Sequence, residues 1–548
     1  MKDGVPELIA EGRAALRAGD AARARRAFEC ALDESQTGAV IEGLARASYI
    51  ELDFSEAIET WERAYAAHRD ADDRIGAVRV ARTLAFMYLS TVGDRAVMSG
   101  WMARAQTLLA DQVESSEGGW VALNVGMFSG DRQEKETQFR EALDRGRQFG
   151  DTDLEFVALA YLGASHVHAD RTEEGMLLLD EALAAVAGSE VDDFCVLQEI
   201  FCQLFAACEH AHDVSRADQW IRIGEAIAVR RQLPAVSAFC RTHYGGVLTA
   251  AGRWPEADVA LTEAVRLWGL GHRSLRSGAL ARLAELRVRQ GRLEEAERLL
   301  DGLGGDGDAA RPLAAIQLAK GKTALAKDTL ERALAQVDPL KSAAAPLLAL
   351  LVDAHLACGE FTEADAAAQS LEACAARHAS EFLVASAALA RGRVCLATGT
   401  GDPQACLRNA LAGFARAQMP IEVAHSRLEL ATALLTERPE VAMAEARAAL
   451  EAFERLHAAR DVDAAAAVLR SLGVRSSTGG KGGGPLSKRE LEVLDLVGHG
   501  LSNAEISDRL FISRKTVEHH VGNVLSKLGL RTRAEAAAYL SRSKPGVQ

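Results

Sequence analysis

The sequence predicts an all-α protein, a superhelix of tetratricopeptide-like helical hairpins followed by a small C-terminal four-helix domain. Three observations predict it. Over the first 473 residues Ala, Leu, Arg and Glu dominate, Pro is scarce and apolar residues recur at helical spacing, with almost no strand signal. A turn residue recurs every 30 to 42 residues, followed by small and large apolar residues at fixed offsets. The last tenth of the chain breaks this pattern and opens its own set of helices after a Gly-rich stretch. At 548 residues the chain also exceeds one ordinary core, so several domains or a repeat array are required.

The repeat is read from its turns. Five, nine and twelve positions after Gly19 stand Ala24, Phe28 and Ala31; after Leu52 stand Ala57, Trp61 and Ala64. Gly252 is followed by Ala257, Leu261 and Ala264, and Gly291 by Ala296, Leu300 and Leu303. Gly321 leads to Ala326, Leu330 and Ala333, and Gly359 to Ala364, Ala368 and Leu371. Weaker copies turn near Gly93, Gly130, Asp170 and His212, and degenerate ones follow Gly401. The turn ends one helix, the small Ala admits the neighbouring helix closely, and the large residue fills the gap. One such hairpin cannot bury its apolar face alone, so units must stack. The turn-x4-Ala-x3-large-x2-small arrangement resembles the tetratricopeptide repeat. Ten to twelve hairpins are expected over residues 1–473, as a sensor or docking domain.

Residues 474–485, SSTGGKGGGP after Val474-Arg475, read as a flexible linker. Residues 486–542 read as four short helices, and 543–548 as a frayed tail. Ser487 with Glu490, Ser502 with Glu505 and Thr532 with Glu535 each have the S/T-x-x-E spacing of a capping box. The middle helices, Asn503–Leu510 and Arg514–Leu528, are separated only by Phe511-Ile512-Ser513, which is helix-turn-helix spacing. On the second of them Val517, Val521, Val524 and Leu528 form one apolar stripe. Lys515, Glu518, His519, Gly522, Asn523 and Ser526 occupy the other side, a face without large apolar residues and suited to a DNA major groove.

The pieces LSKRELEVL, GLSNAEIS, LFISRKTVEHHV and KLGLRTRAEA resemble the LuxR-type helix-turn-helix domain of bacterial transcription regulators. The resemblance covers about Pro485–Ser541. It implies a four-helix domain whose third helix reads double-stranded DNA and whose fourth pairs two such domains. Gly522 departs from it, standing where relatives often carry Lys or Arg, so a contact is lost and sequence preference does not transfer. Large regulators of this type often add an ATPase module, but none is evident here.

On this reading Lys515, Glu518, His519 and Gly522 face base edges, Glu518 accepting from a cytosine amino group. Asn503, Arg514, Thr516, Asn523, Lys527 and Arg533 are placed for phosphates. Ala534, Ala537 and Ala538, on a fourth helix over Arg533–Arg542, form the dimerisation face. Charge agrees. The chain holds 63 basic and 77 acidic residues, of which 11 and 7 lie from Lys481 onwards, so a tip of +4 sits on a body of −18.

Other sites are declined. Gly321-Lys322-Thr323 ends like a phosphate loop, but the required first glycine is Ile316. Cys202, Cys208, His210 and His212 lack paired zinc spacing, so no metal and no cofactor is expected. No catalytic constellation suggests an enzyme. The nine cysteines, without a C-x-x-C pair, read as free thiols of a reducing compartment. With no leader-like segment at Met1 and no long apolar run, a cytoplasmic location and no membrane association are expected. The function expected is a sequence-specific DNA-binding transcription regulator whose repeats sense a small ligand or a partner protein. The alternative is an interaction scaffold with a structural helix-turn-helix tip.

Overall fold

The computed structural model describes residues 4–539 except 111–114, 232, 234–237, 271, 272, 379, 474–487, 511–513, 529, 531, 534 and 538. Among the described residues there are helices and no strand. Packing divides the chain into two compact units, Met1–Ala465 and Ala466–Gln548. The expected linker at 474–485 lies outside the described residues.

In the first unit successive helices pair as antiparallel hairpins. The first is Val5–Arg17 with Ala21–Glu34, and the twelfth is Pro420–Ala433 with Pro439–Leu456. A further helix, Ala459–Ser471, contains the division between the two units.

The hairpin turns have a common chemistry. Gly19, Leu52, Gly93, Asp170, His212, Gly252, Gly291, Gly321 and Gly359 all take left-handed backbone, with φ between 57° and 87°. After Gly19 and Leu52 an aspartate caps the next helix: Asp20 accepts from the Arg23 N–H at 3.0 Å and Asp53 from the Glu56 N–H at 3.1 Å. Such a cap is worth about 1 kcal/mol. The expected turn at Gly130 is present but of another kind. There the chain leaves helix Ser116–Phe128 through extended Ser129 (φ −64°, ψ 140°), and Asp131 caps Glu134 at 2.8 Å without a left-handed residue.

The offsets describe the core. Ala24, Ala57, Ala257, Ala296, Ala326 and Ala364 are all completely buried, as are Phe28, Leu261, Leu330 and Ala368 nine positions after their turns. Ala333 and Leu303 are only half-buried. Phe28 shows how tight the fit is: a Cβ on Gly12 would fall 2.6 Å from its ring, and one on Gly43 2.3 Å.

The array coils back upon itself. Arg46 of the second hairpin pairs with Asp193, 147 residues away, and Lys341 pairs with Asp170 at 2.9 Å. His210 Nε2 meets Ser342 Oγ at 3.0 Å, and Arg289 donates to Glu422 at 2.9 Å across 133 residues. His212 stacks on Phe382 with ring centroids 3.6 Å apart and planes 10° from parallel. These pairs join hairpins four or five units apart.

One expectation is corrected, that all nine cysteines are free thiols. Cys202 and Cys240 form a disulfide between helices Phe194–Ala211 and Ala238–Ala250, because the two helices bring their Cα atoms to 4.6 Å. Segment Arg74–Val92, 19 residues with mean hydropathy 1.2, has the length and apolarity of a membrane span, and half of it is buried in the repeat body. Its Arg79 and Arg82 pair with Glu42 and Glu117 of neighbouring hairpins at 2.6 and 2.5 Å. Those pairs hold it as a core helix of the array.

Candidate nucleic-acid interface

The second unit has its own core. Val493, Leu494 and Val497 from helix Lys488–Gly498, Ile506 from Asn503–Leu510, Val517 and Val524 from Arg514–Leu528, and Ala536 close on one another, each at most 3% exposed. Val521 and Leu528 pack against this cluster half-buried, so the expected apolar stripe is the inward face.

The chain is positioned by local chemistry. Gly500 at φ 80° ends the first helix, its N–H bonding to the Val497 carbonyl at 3.0 Å while the Leu501 N–H reaches the Leu496 carbonyl. Ser502 then opens the next helix as a complete capping box. Its N–H donates to Glu505 Oε2 at 2.7 Å, and its hydroxyl accepts from the Glu505 N–H at 3.4 Å. The Ser502 hydroxyl, and then its N–H, hold the Glu505 carboxyl below the usual carboxylate range. At Thr532 the hydroxyl accepts from the Glu535 N–H at 3.2 Å. Ser487 lies outside the described residues, while Glu490 is buried.

Helix Arg514–Leu528 begins where the sequence predicts, after the undescribed residues 511–513. Arg514, Lys515, Thr516, Glu518 and Gly522 are exposed, and Asn523 is half-buried at the margin. A Cβ on Gly522 would meet nothing within 4 Å, so packing does not require glycine there. His519 and Lys527 lie on the helix with side chains outside those described. The N-terminal half of this helix therefore presents cationic, anionic and hydroxyl groups around a shallow position, over a fully apolar support.

Arg533 and Asn503 are brought together. Arg533 Nη1 donates to Asn503 Oδ1 at 2.6 Å, and Nη2 donates to the Leu501 carbonyl. Both are residues that the sequence places for phosphates, and they also tie the start of the fourth helix to the start of the second. Sequence reasoning missed this brace. The available signal is that a cation in a first turn opposes the helix dipole and so needs another partner. Of the proposed dimerisation face, Ala537 is half-buried, and Ala534 and Ala538 lie outside the described residues. The neighbouring Ala536 is the core residue.

The declined sites have structural roles. Gly321 is a hairpin turn at φ 70°, followed by helix Thr323–Leu334. Cys202 is in the disulfide, Cys208 is buried, and His210 and His212 make the contacts between coils described above.

Two helices at helix-turn-helix spacing, over a common core and with a polar outer face, have the arrangement of a helix-turn-helix module. Residues 484–540 match the family described as "Bacterial regulatory proteins, luxR family". The segment is 49% identical over 57 residues to the "Transcriptional regulatory protein LnrK" of Bacillus subtilis, covering 10% of this chain and 26% of that protein. It is 48% identical over 59 residues to the "Oxygen regulatory protein NreC" of Staphylococcus aureus, covering 11% and 27%. The chain thus spans about a quarter of the length of these relatives. Among solved structures, the Cut9 and Hcn1 hetero-tetramer of the APC/C aligns with 84% of this chain and 96% of that one, at 14% identity and TM-score 0.41. A Rap protein complexed with Competence and Sporulation Factor aligns with 58% and 98%, at 12% identity and TM-score 0.39.

Proposed function

We propose that the protein is a sequence-specific DNA-binding transcription regulator, with a repeat body that receives a signal and a tip that binds double-stranded DNA. The observation that carries this is the outer face of helix Arg514–Leu528, where Lys515 and Glu518 stand exposed beside the open Gly522 while Val517 and Val524 anchor the helix from behind. Such a face suits a major groove, with Lys515, Glu518 and His519 toward base edges and Arg514, Thr516, Asn523 and Lys527 toward phosphates. The names of the relatives of the tip, a transcriptional and an oxygen regulatory protein, support the same reading. On half-sites about one helical turn apart two tips pair through the fourth helix. The protein then works in the cytoplasm, at the nucleoid when bound.

The repeat body, acidic by 18 charges as read from the sequence, has no affinity of its own for a polyanion and serves as the sensor. The test is binding of the full-length protein to randomised DNA, followed by a genome-wide map of bound sites. A preferred sequence that also marks regulated promoters is the expected result. Binding no stronger to any sequence than to bulk DNA would favour the scaffold alternative. For the sensor, deletion of residues 1–470 should change regulation in at least one condition, and unaltered regulation in every condition would remove that role.

A further inference from the structure

Where the coils of the repeat body meet, a cavity of about 200 Å³ remains among helices of the sixth, seventh, eighth, ninth, eleventh and twelfth hairpins. Its charged lining contains Arg282, Arg289 and Arg311 against Glu209, Glu285, Asp308 and Glu422, an excess of one carboxylate. His212 adds no positive charge near neutrality, since burial pushes it down to about 3.

The hydrogen bonds of this lining do not close. Arg282 is matched, donating to both oxygens of Glu209 at 2.6 and 2.8 Å. Arg289 donates to Glu285 Oε1 at 3.0 Å and to Glu422 Oε1 at 2.9 Å, and Arg311 lies 3.2 Å from the same Glu285 oxygen. Glu285 Oε2 and Glu422 Oε2, both buried, have no donor. No arginine nitrogen of this lining stands among the buried groups without a partner. Burial opposes ionisation of Glu285, but Arg311 and Arg289 outweigh it and hold the carboxyl below its usual range, so it stays anionic. A buried acceptor without a donor forfeits the hydrogen bonds it had to water, and the loss is larger for a charged group. The unmet need is therefore for donors and positive charge. The remaining wall includes Val247, Met419 and the Phe382 ring. A cavity of about 150 Å³ holds benzene, so this one takes little more than a small ring with a side arm.

We propose that this cavity is the signal site of the repeat body and binds a small cation rich in hydrogen-bond donors, an ammonium or guanidinium group on a short apolar or aromatic body. Its donors satisfy Glu285 Oε2 and Glu422 Oε2 after a small side-chain adjustment. Bound there, it sits between hairpins eight and twelve and stabilises their closure, which couples occupancy to the coil of the array. The inference rests on the sensor reading above but is separately testable.

The test uses the full-length protein with phenethylamine, agmatine and arginine ethyl ester, against phenylacetate and phenylacetamide as controls. Binding is followed by calorimetry and by the shift in thermal unfolding. At least one cation should bind with one-to-one stoichiometry, and neither control should bind. Glu422→Gln and Glu285→Gln should each weaken that binding at least tenfold while the free protein remains folded, with unfolding still a single cooperative transition. Binding of the carboxylate instead, cation binding indifferent to both substitutions, or no binding by any of the three cations would overturn the proposal. Should the cation bind as described while deletion of 1–470 leaves regulation unaltered, the site stands and its place in regulation falls.

Discussion

Arg533 donates to Asn503 Oδ1 at 2.6 Å, tying the entrance of the fourth helix of the tip to that of the second. A hydrogen bond from a charged group contributes about 1.5–3 kcal/mol. Arg533→Ala should therefore loosen the tip, with faster hydrogen exchange in peptides spanning Asn503–Leu510 and weaker DNA binding as a consequence. Arg533→Lys should recover only part of this, because one ammonium cannot serve both Asn503 and the Leu501 carbonyl in the fork geometry. Unchanged exchange in the alanine variant would show that the brace does not hold in solution.

Val517 and Glu518 are neighbours with opposite duties, one completely buried and the other exposed. Val517→Asp should unfold the tip by burying an unpaired charge and abolish binding to all DNA. Glu518→Ala should leave the fold intact and relax discrimination at one base position by about 1–3 kcal/mol. Selection from randomised DNA reads both outcomes. If Lys515→Ala, Glu518→Ala and His519→Ala all kept the wild-type preference, the assigned face would be wrong.

Because a Cβ on Gly522 meets nothing within 4 Å, Gly522→Ala should stabilise its helix by about 0.5–1 kcal/mol. Gly522→Arg should raise affinity for all sequences and steepen the salt dependence by about one counterion. Titration of DNA binding against potassium chloride measures the slope. A flat response to the arginine would place this position away from the backbone.

Phe28 is held between two helices that approach at Gly12 and Gly43. Gly43→Ala forces a methyl to 2.3 Å from the ring, and overpacking of this kind costs about 1–3 kcal/mol. The thermal midpoint should drop, and Phe28→Leu in the same chain should restore part of it. A loss in the double variant equal to the sum of the two single losses would contradict the clash.

Burial, and then neighbouring His168, push His210 down to about 4 from an ordinary 6.5. Its neutral form is favoured in the fold, so the unfolded chain binds more protons between those values. The stability it contributes is complete above about pH 6.5 and is lost as the pH falls toward 4. His68 acts in the opposite sense. Burial lowers it, but Glu42 and Asp73 outweigh that and raise it, so its contribution is complete below 6.5 and lost at higher pH. Urea midpoints measured from pH 6.5 down to 5 should fall, and less steeply in His210→Gln. Equal slopes would show that His210 is solvated.

Much of the fold was legible because each hairpin is a local object. A turn residue, an alanine five places later and a large residue nine places later are set by the geometry of two adjacent helices, and the six strongest copies buried as expected. The stripe Val517, Val521, Val524 and Leu528 was legible for the same reason, since it depends on helical period alone. Pairing across coils was not legible. Nothing near Arg46 in the sequence names Asp193, and Cys240 reads as an ordinary apolar position until helix packing sets it against Cys202. The turn at Gly130 was legible in position but not in kind, because extended Ser129 there replaces the left-handed residue that ends the preceding helix at the other turns. At the tip, the contact of Arg533 with Asn503 was not legible, because a surface arginine near DNA and an arginine bracing a loop have the same local sequence.

The pairs between distant coils change how the array responds to damage. In an open stack each hairpin senses only its neighbours, so ends fray and fragments survive. Here Lys341 with Asp170 and Arg289 with Glu422 pin segments more than a hundred residues apart. Hairpins between the pins cannot melt one at a time without breaking them, so regions that would open separately are merged into larger cooperative blocks. Contacts of such long sequence separation also slow folding, since the intervening loop must close before any of them forms. A chain cut after the sixth hairpin would then lose the partners of Asp170 and His210 along with its own end. Proteolysis of the native protein should give few stable intermediates, in place of a ladder spaced by one repeat.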